Sequence, residues 1–162
     1  MLDNTGFAQY AKTYIDTVFR LAFSYTRNRE DAEDVTQDVL LQLYRTEKAF
    51  DSEAHVKYWL LRVTINQCKM LFRSPWRRVE SLEDYAETLC FEREDYSALF
   101  AAVMALDRKY RVPIYLYYYE GYSVRELAAL LNVPEKTVST RLHRARAKLK
   151  DALREEVPHD GT

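Results

Sequence analysis

Seven cations lie between residues 136 and 154: Lys136, Arg141, Arg144, Arg146, Lys148, Lys150 and Arg154, with Asp151 the one acid among them. Thr137, Ser139, Thr140 and His143 stand in the same stretch and can form neutral hydrogen bonds. Together these residue types can neutralise phosphates and read base edges, with Arg able to grip guanine through two parallel bonds. A second basic block, Lys57, Arg62, Lys69, Arg73, Arg77 and Arg78, contains no acid between residues 57 and 78. The acid-rich stretch 79–96 separates the two blocks, so the net charge of −1 hides a strong segregation. Each block alone could be a solvated helix face. Two of them, each inside a helical pattern, suggest two phosphate-facing surfaces. Nothing comparable suggests catalysis. His55, His143 and His159 are dispersed, and Cys68 and Cys90 lack metal-ligand spacing and read as reduced packing residues. With three glycines in the chain there is no Gly-rich phosphate loop. No catalytic residue, metal, cofactor or small-molecule substrate is expected.

The elements that must position these residues read as helices. Few glycines and prolines among 162 residues disfavour a hairpin-rich β fold. The period in Phe7–Thr26 predicts a first helix, with Tyr14, Ile15, Val18, Phe19, Leu21, Ala22 and Tyr25 apolar. After a polar break at residues 27–30, Asp31 is expected to cap a second helix, with Glu33 and Asp34 in its first turn and Ala32, Val35, Val39 and Leu43 buried. Residues 46–55 read as a loop, and Val56–Arg73 as a third helix ended by Ser74-Pro75. The acid-rich Trp76–Asp95, weak in periodicity, reads as a linker that could hold a helical turn near Leu82–Leu89. Helices are then predicted at Tyr96–Leu106 and at Tyr110–Tyr119, the latter with Pro113 in its first turn and Gly121 as a left-handed C-cap. Met1–Tyr10 resembles no signal peptide and no apolar run could span a bilayer, which points to a cytoplasmic protein.

The most specific local pattern is at residues 123–150. Ser123-Val124-Arg125-Glu126 has the form of a capping box, preceded by Tyr122 as a hydrophobic staple. Val124, Leu127, Ala128 and Leu131 predict one buried face, and Asn132 suits a left-handed turn. Pro134 opens the next helix, in which Val138, Leu142, Ala145 and Leu149 form a single apolar stripe. The polar and basic residues are left outside it. This is the layout of a helix-turn-helix, whose second helix enters the major groove.

The run GYSVRELAALLNVPEKTVSTRLHRARAKLK resembles region 4 of extracytoplasmic-function (ECF) sigma factors of the sigma-70 superfamily. DAEDVTQDVLLQLY resembles that family's polymerase-binding helix, and FDSEAHVKYWLLRVTINQCKMLFR its promoter-melting segment. The resemblance implies an all-α protein of two small helical domains, 7–75 and 96–154, joined by a flexible linker at 76–95. It implies a transcription initiation factor that binds core RNA polymerase and directs it to promoter DNA. Asp34, Gln37, Asp38, Leu41 and Tyr44 would contact the polymerase. The loop Phe50–His55, with Phe50, Asp51 and Ser52, followed by Trp59, Arg62, Asn66, Lys69 and Arg73, would read and melt the minus-ten element. An aromatic beside a basic groove suits capture of an unstacked base, although Trp59 could equally be core. Lys136, Thr137, Ser139, Thr140, Arg141, His143, Arg144 and Lys148 would read the minus-35 element, although Arg141 could instead brace the domain through a salt bridge.

Relatives often carry a base in the loop where this chain has Asp51 and Glu53, and a base where it has Ser139 and Thr140. The promoter sequence therefore does not follow from the resemblance. The family also suggests an anti-sigma partner. Two competing readings are a dimeric DNA-binding regulator, with residues 1–75 serving effector or partner binding, and an anti-polymerase or adaptor protein that has lost promoter reading. The acidic block at 31–38 beside a basic melting segment favours the initiation factor.

Overall fold

The computed structural model describes residues 4–73 and 97–156. The expected linker at 76–95, Ser74-Pro75, Arg77, Arg78 and Cys90 lie outside the described residues. Seven α-helices and no strand occur among the described residues. The chain divides into two compact units near residue 79.

In the first unit α1 (Asn4–Thr26), α2 (Arg29–Arg45) and α3 (Glu53–Leu71) pack on one another. Their core joins Val18, Leu21, Ala22 and Phe23 of α1 to Val35, Val39 and Leu43 of α2 and Val56, Leu60, Leu61, Ile65 and Cys68 of α3. Each fully buried Leu or Ile contributes about 1.5–3 kcal/mol of transfer free energy. The stripe predicted for α2 is buried as expected. In α1 the pattern was too generous, since Ile15 is 41% exposed.

Two helix starts differ from expectation. The corner between α1 and α2 is only Arg27-Asn28, and Asn28 caps α2 by accepting from the Asp31 amide at 2.9 Å. Glu30 and Asp31, rather than Glu33 and Asp34, therefore occupy the first turn, where they meet the helix dipole. Arg27 takes φ +51 to make so tight a corner. α3 likewise begins earlier than predicted. Ser52 accepts from the His55 amide at 3.1 Å, which places Glu53, Ala54 and His55 in the helix and shortens the expected loop 46–55 to 46–52. At the other end Phe72 caps α3, leaving Arg73 just past it.

The second unit packs α4 (Ser97–Ala105), α5 (Arg108–Tyr118) and α6 (Val124–Leu131) against the long α7 (Glu135–Glu156). Met104, Ile114, Tyr115, Leu116, Leu127, Leu130, Val138, Leu142 and Ala145 form the core. α5 starts at Arg108, so Pro113 lies in its second turn rather than its first. Pro has no amide to donate to the Lys109 carbonyl, a local weakness of the ladder. Tyr119, not Gly121, is the C-cap. Gly121 takes φ +74 just beyond, and the Tyr122 amide donates back to the Leu116 carbonyl at 3.2 Å. The buried Arg111 donates to the Leu106 carbonyl at 3.0 Å, which ties α4 to α5.

The capping box of α6 forms in full: the Glu126 amide donates to Ser123 Oγ at 3.2 Å, and the Ser123 amide donates to Glu126 Oε1 at 3.1 Å. Asn132 ends α6 in the left-handed conformation, φ +56 and ψ +50. The buried face differs slightly from prediction, being Leu127, Leu130 and Leu131, with Val124 and Ala128 half-buried. The predicted stripe of α7 is buried at all four positions.

Candidate nucleic-acid interface

On α7 the apolar stripe fixes which side chains can face a ligand. At 3.6 residues per turn, Thr137, Arg141, Arg144 and Lys148 fall on one flank of the stripe, while Ser139, His143, Arg146 and Lys150 fall on the other. The structure follows this division. A shallow cleft of about 390 Å³ is lined by Lys136, Thr137, Thr140, Arg141 and Arg144, together with Lys109 and Tyr110 at the start of α5. Lys148 reaches the edge of the same region, its Nζ 5.5 Å from the Tyr110 ring centre. Ser139 and His143 are exposed on the other flank and do not join the cleft. Arg141 lines it without a carboxylate partner among the described residues, so the alternative of an internal salt bridge is not realised there.

Lys109 and Tyr110 were missed because α5 lies outside the helix-turn-helix. Tertiary packing brings them to it, and no local pattern marks them. Lys109 Nζ lies 5.1 Å from the Tyr110 ring centre. Burial pushes the Tyr110 hydroxyl up, but a hydrogen bond from Arg144 and the charge of Lys109 outweigh it, and the net shift is downward. The tyrosine thus orients a cation of α7 while keeping its own face against lysines. Four cations without an intervening acid make the cleft attractive to phosphate oxygens.

On the opposite flank Arg146 is occupied structurally. Its Nε donates to the Tyr118 hydroxyl at 2.8 Å, and its guanidinium lies 5.3 Å from the Tyr117 ring centre. The bond to Tyr118 is the main reason its pKa is raised. Tyr118 and Arg146 border an apolar groove of about 440 Å³ floored by Leu99, Val103, Ile114 and Leu149.

In the first unit, Trp59, Arg62, Asn66, Lys69 and Arg73 recur at steps of 3, 4, 3 and 4 residues. These steps place Trp59, Arg62, Asn66 and Lys69 within an arc of roughly 100° along α3, with Arg73 just past its end. Asn66, Lys69 and Arg73 are exposed, while Trp59 and Arg62 are half-buried, so Trp59 is not enclosed core. Phe50 meets Trp59 edge to face at 5.5 Å, which joins the short loop to this face. Asp51 is almost fully exposed, its side chain at 97%. Ser52 spends its hydroxyl as the helix cap. Glu53 lies close enough to Tyr14 of α1 to add to the rise that burial causes in that hydroxyl's pKa.

On α2 the residues Asp34, Gln37, Asp38, Leu41 and Tyr44 are all exposed, opposite the buried stripe. Leu41 at 47% and Tyr44 at 39% give this acidic face an apolar end. The Tyr44 ring packs edge to face on Phe7 at 5.2 Å, which steadies it. No group of His, Cys, Asp and Glu able to hold a metal occurs among the described residues. No helix among them is long and apolar enough to cross a membrane.

Two cationic helix faces on two separate helical units define a protein that handles nucleic acid. Comparison with known proteins makes the class specific. The sigma-70 region 2 family model matches residues 10–78, and the sigma-70 region 4 model matches residues 96–149. The ECF RNA polymerase sigma factor SigM of Mycobacterium tuberculosis is 32% identical over 151 residues, covering 91% of this chain and 76% of its own. The corresponding SigE of Mycolicibacterium smegmatis is 31% identical over 156 residues, and this chain spans 60% of its length. Among solved structures, CnrH in complex with the cytosolic domain of CnrY superposes with a TM-score of 0.68 at 28% identity, covering 96% of this chain and 92% of that one. RpoE of Bartonella quintana, in complex with the anti-sigma factor NepR, shares the fold with a TM-score of 0.71 at 23% identity, over 91% and 96% of the two chains. The chain belongs to the sigma-70 family of transcription initiation factors, in its extracytoplasmic-function group.

Proposed function

We propose that this chain is the promoter-recognition subunit of an RNA polymerase holoenzyme. The carrying observation is that each unit presents its own cationic helix face: Trp59 to Lys69 on α3, with Arg73 just past it, in one, and the cleft in front of α7 in the other. The α3 face with Phe50, Asp51 and Ser52 takes the minus-ten element, where an unstacked base can lie against aromatic rings. The α7 face takes the minus-35 element, with Arg144 and Arg141 reading base edges and Lys109, Lys136 and Lys148 holding phosphates. Ser139 and His143 lie at the periphery of that second interface. Asp34, Gln37, Asp38, Leu41 and Tyr44 offer core polymerase an acidic surface with an apolar end, suited to a basic helical partner. The protein performs no catalysis of its own and works in the cytoplasm, where its partners are core polymerase and promoter DNA. An anti-sigma protein regulates it. RpoE is found in complex with NepR and CnrH with CnrY; on this chain, a partner segment with an apolar side and acids facing Arg146 and Lys150 suits the groove on the second unit.

The reading is tested by selecting bound fragments from a random duplex pool with holoenzyme reconstituted from this chain and core polymerase. Two enriched blocks at a fixed spacing are expected. The substitution R144A is expected to disperse the upstream block and leave the downstream one intact. Enrichment of one block only, equally strong without polymerase, would favour an ordinary DNA-binding regulator instead.

A further inference from the structure

His55 enters above only as the end of the expected loop, with no role of its own, yet it holds the residues proposed to read the minus-ten element from three sides. The Asp51 amide donates to His55 Nδ1 at 3.2 Å. The Phe50 ring packs edge to face on the imidazole with centres 5.3 Å apart, and on its other contact meets Trp59. The His55 amide in turn donates to Ser52 Oγ. The Phe50 ring, the Asp51 backbone and the Ser52 hydroxyl are thus each tied to one residue in the first turn of α3. Because Nδ1 accepts, its proton must sit on Nε2. The Asp51 carboxylate, 3.9 Å from Nδ1, stays turned to solvent and available to a ligand.

We infer that His55 is the positioning residue for minus-ten base selection: through Nδ1 it fixes the Asp51 backbone, and through its ring edge it sets the Phe50 face on which the captured base is read. This rests on the reading of residues 50–73 as the minus-ten surface. The acceptor and the ring contribute separately, so two variants separate them. H55N keeps an acceptor atom at the Nδ1 position without the ring. H55F keeps a ring without the acceptor.

The test uses holoenzyme containing the full chain and fluorescent single-stranded oligonucleotides carrying each of the four bases at the captured position of the selected minus-ten element. The measured quantity is discrimination, the ratio of the Kd for the worst base to that for the best. H55F is expected to lower discrimination roughly twofold to tenfold, the worth of one net hydrogen bond, with H55N staying closer to the original protein. In parallel, the Asp51 amide resonance of the full chain alone is expected to shift in H55F and stay near its position in H55N. Unchanged discrimination in H55F would overturn the inference, as would an Asp51 resonance indifferent to both substitutions. Absence of discrimination in the unsubstituted holoenzyme, with the Asp51 resonance responding as described, would instead overturn the minus-ten reading on which the inference stands.

Discussion

Arg144 shows how one side chain serves two ends. It lines the cationic cleft, and it donates to Tyr110, whose hydroxyl it helps to hold below the ordinary tyrosine range. A folded-state pKa below the unfolded one contributes stability fully only above the unfolded value, and that contribution is lost as pH falls through the folded value. At neutral pH the pair therefore orients Arg144 without adding stability through ionisation. In R144A, burial is the main remaining influence on Tyr110 besides Lys109, and its titration, followed by NMR of carbon-labelled tyrosine, is expected to move upward. The same substitution is expected to weaken holoenzyme binding to the selected minus-35 element by about 1–3 kcal/mol if the contact is bidentate to guanine. K109A is expected to behave differently. Loss of a phosphate contact weakens binding to all sequences alike and lowers the slope of log affinity against log salt by about 0.9. An unchanged salt slope in K109A would remove α5 from the interface. In the core beneath, L142A is expected to cost about 2–5 kcal/mol in urea unfolding, since Leu142 is almost completely buried at the centre of the α7 stripe.

The helices around these residues divide into those whose ends are written in a few neighbouring residues and those whose ends depend on distant ones. Ser123 and Glu126 bond only to each other's backbone, and Asn132 adopts its turn by its own conformational tolerance, so both were legible. The stripe Val138, Leu142, Ala145 and Leu149 was legible for the same reason, as pure periodicity. Its consequence for Ser139 and His143, which the same period sets on the far flank, was contained in the sequence but obscured by treating the polar residues of α7 as one set. The α2 cap was misplaced because Asn28 acts only when Arg27 accepts a left-handed corner, which the packing of α1 on α2 imposes. The start of α3 was missed because His55 was placed in a loop and not in the turn that Ser52 caps. Lys109 and Tyr110 depend wholly on packing of α5 against α7. S123A is expected to destabilise the second unit by about 0.5–2 kcal/mol by thermal melting, through loss of the cap. N132G is expected to be tolerated where N132V is not, because a β-branched residue resists positive φ.

In the whole molecule the two units carry complementary parts of one task. The first offers an acidic and apolar α2 face opposite its buried stripe, and a cationic α3 face joined to the loop that His55 braces. The second offers the α7 cleft. Each unit alone presents a modest interface, whereas linked sites held at a fixed spacing gain avidity without any new contact. Core polymerase supplies that spacing in the proposed function, so specificity belongs to the holoenzyme rather than to either unit. The composition misleads because the basic blocks at 57–78 and 136–154 are offset by the acids of 79–96 and of the first unit, so that the net charge is −1. The measurement that tests this most directly is run-off transcription with core polymerase on templates bearing the selected promoter. With this chain, a transcript of defined start is expected, abolished by scrambling either element, while the chain alone binds the same duplex far more weakly than the holoenzyme does. No promoter-dependent transcript, together with tight duplex binding by the chain alone, would contradict it.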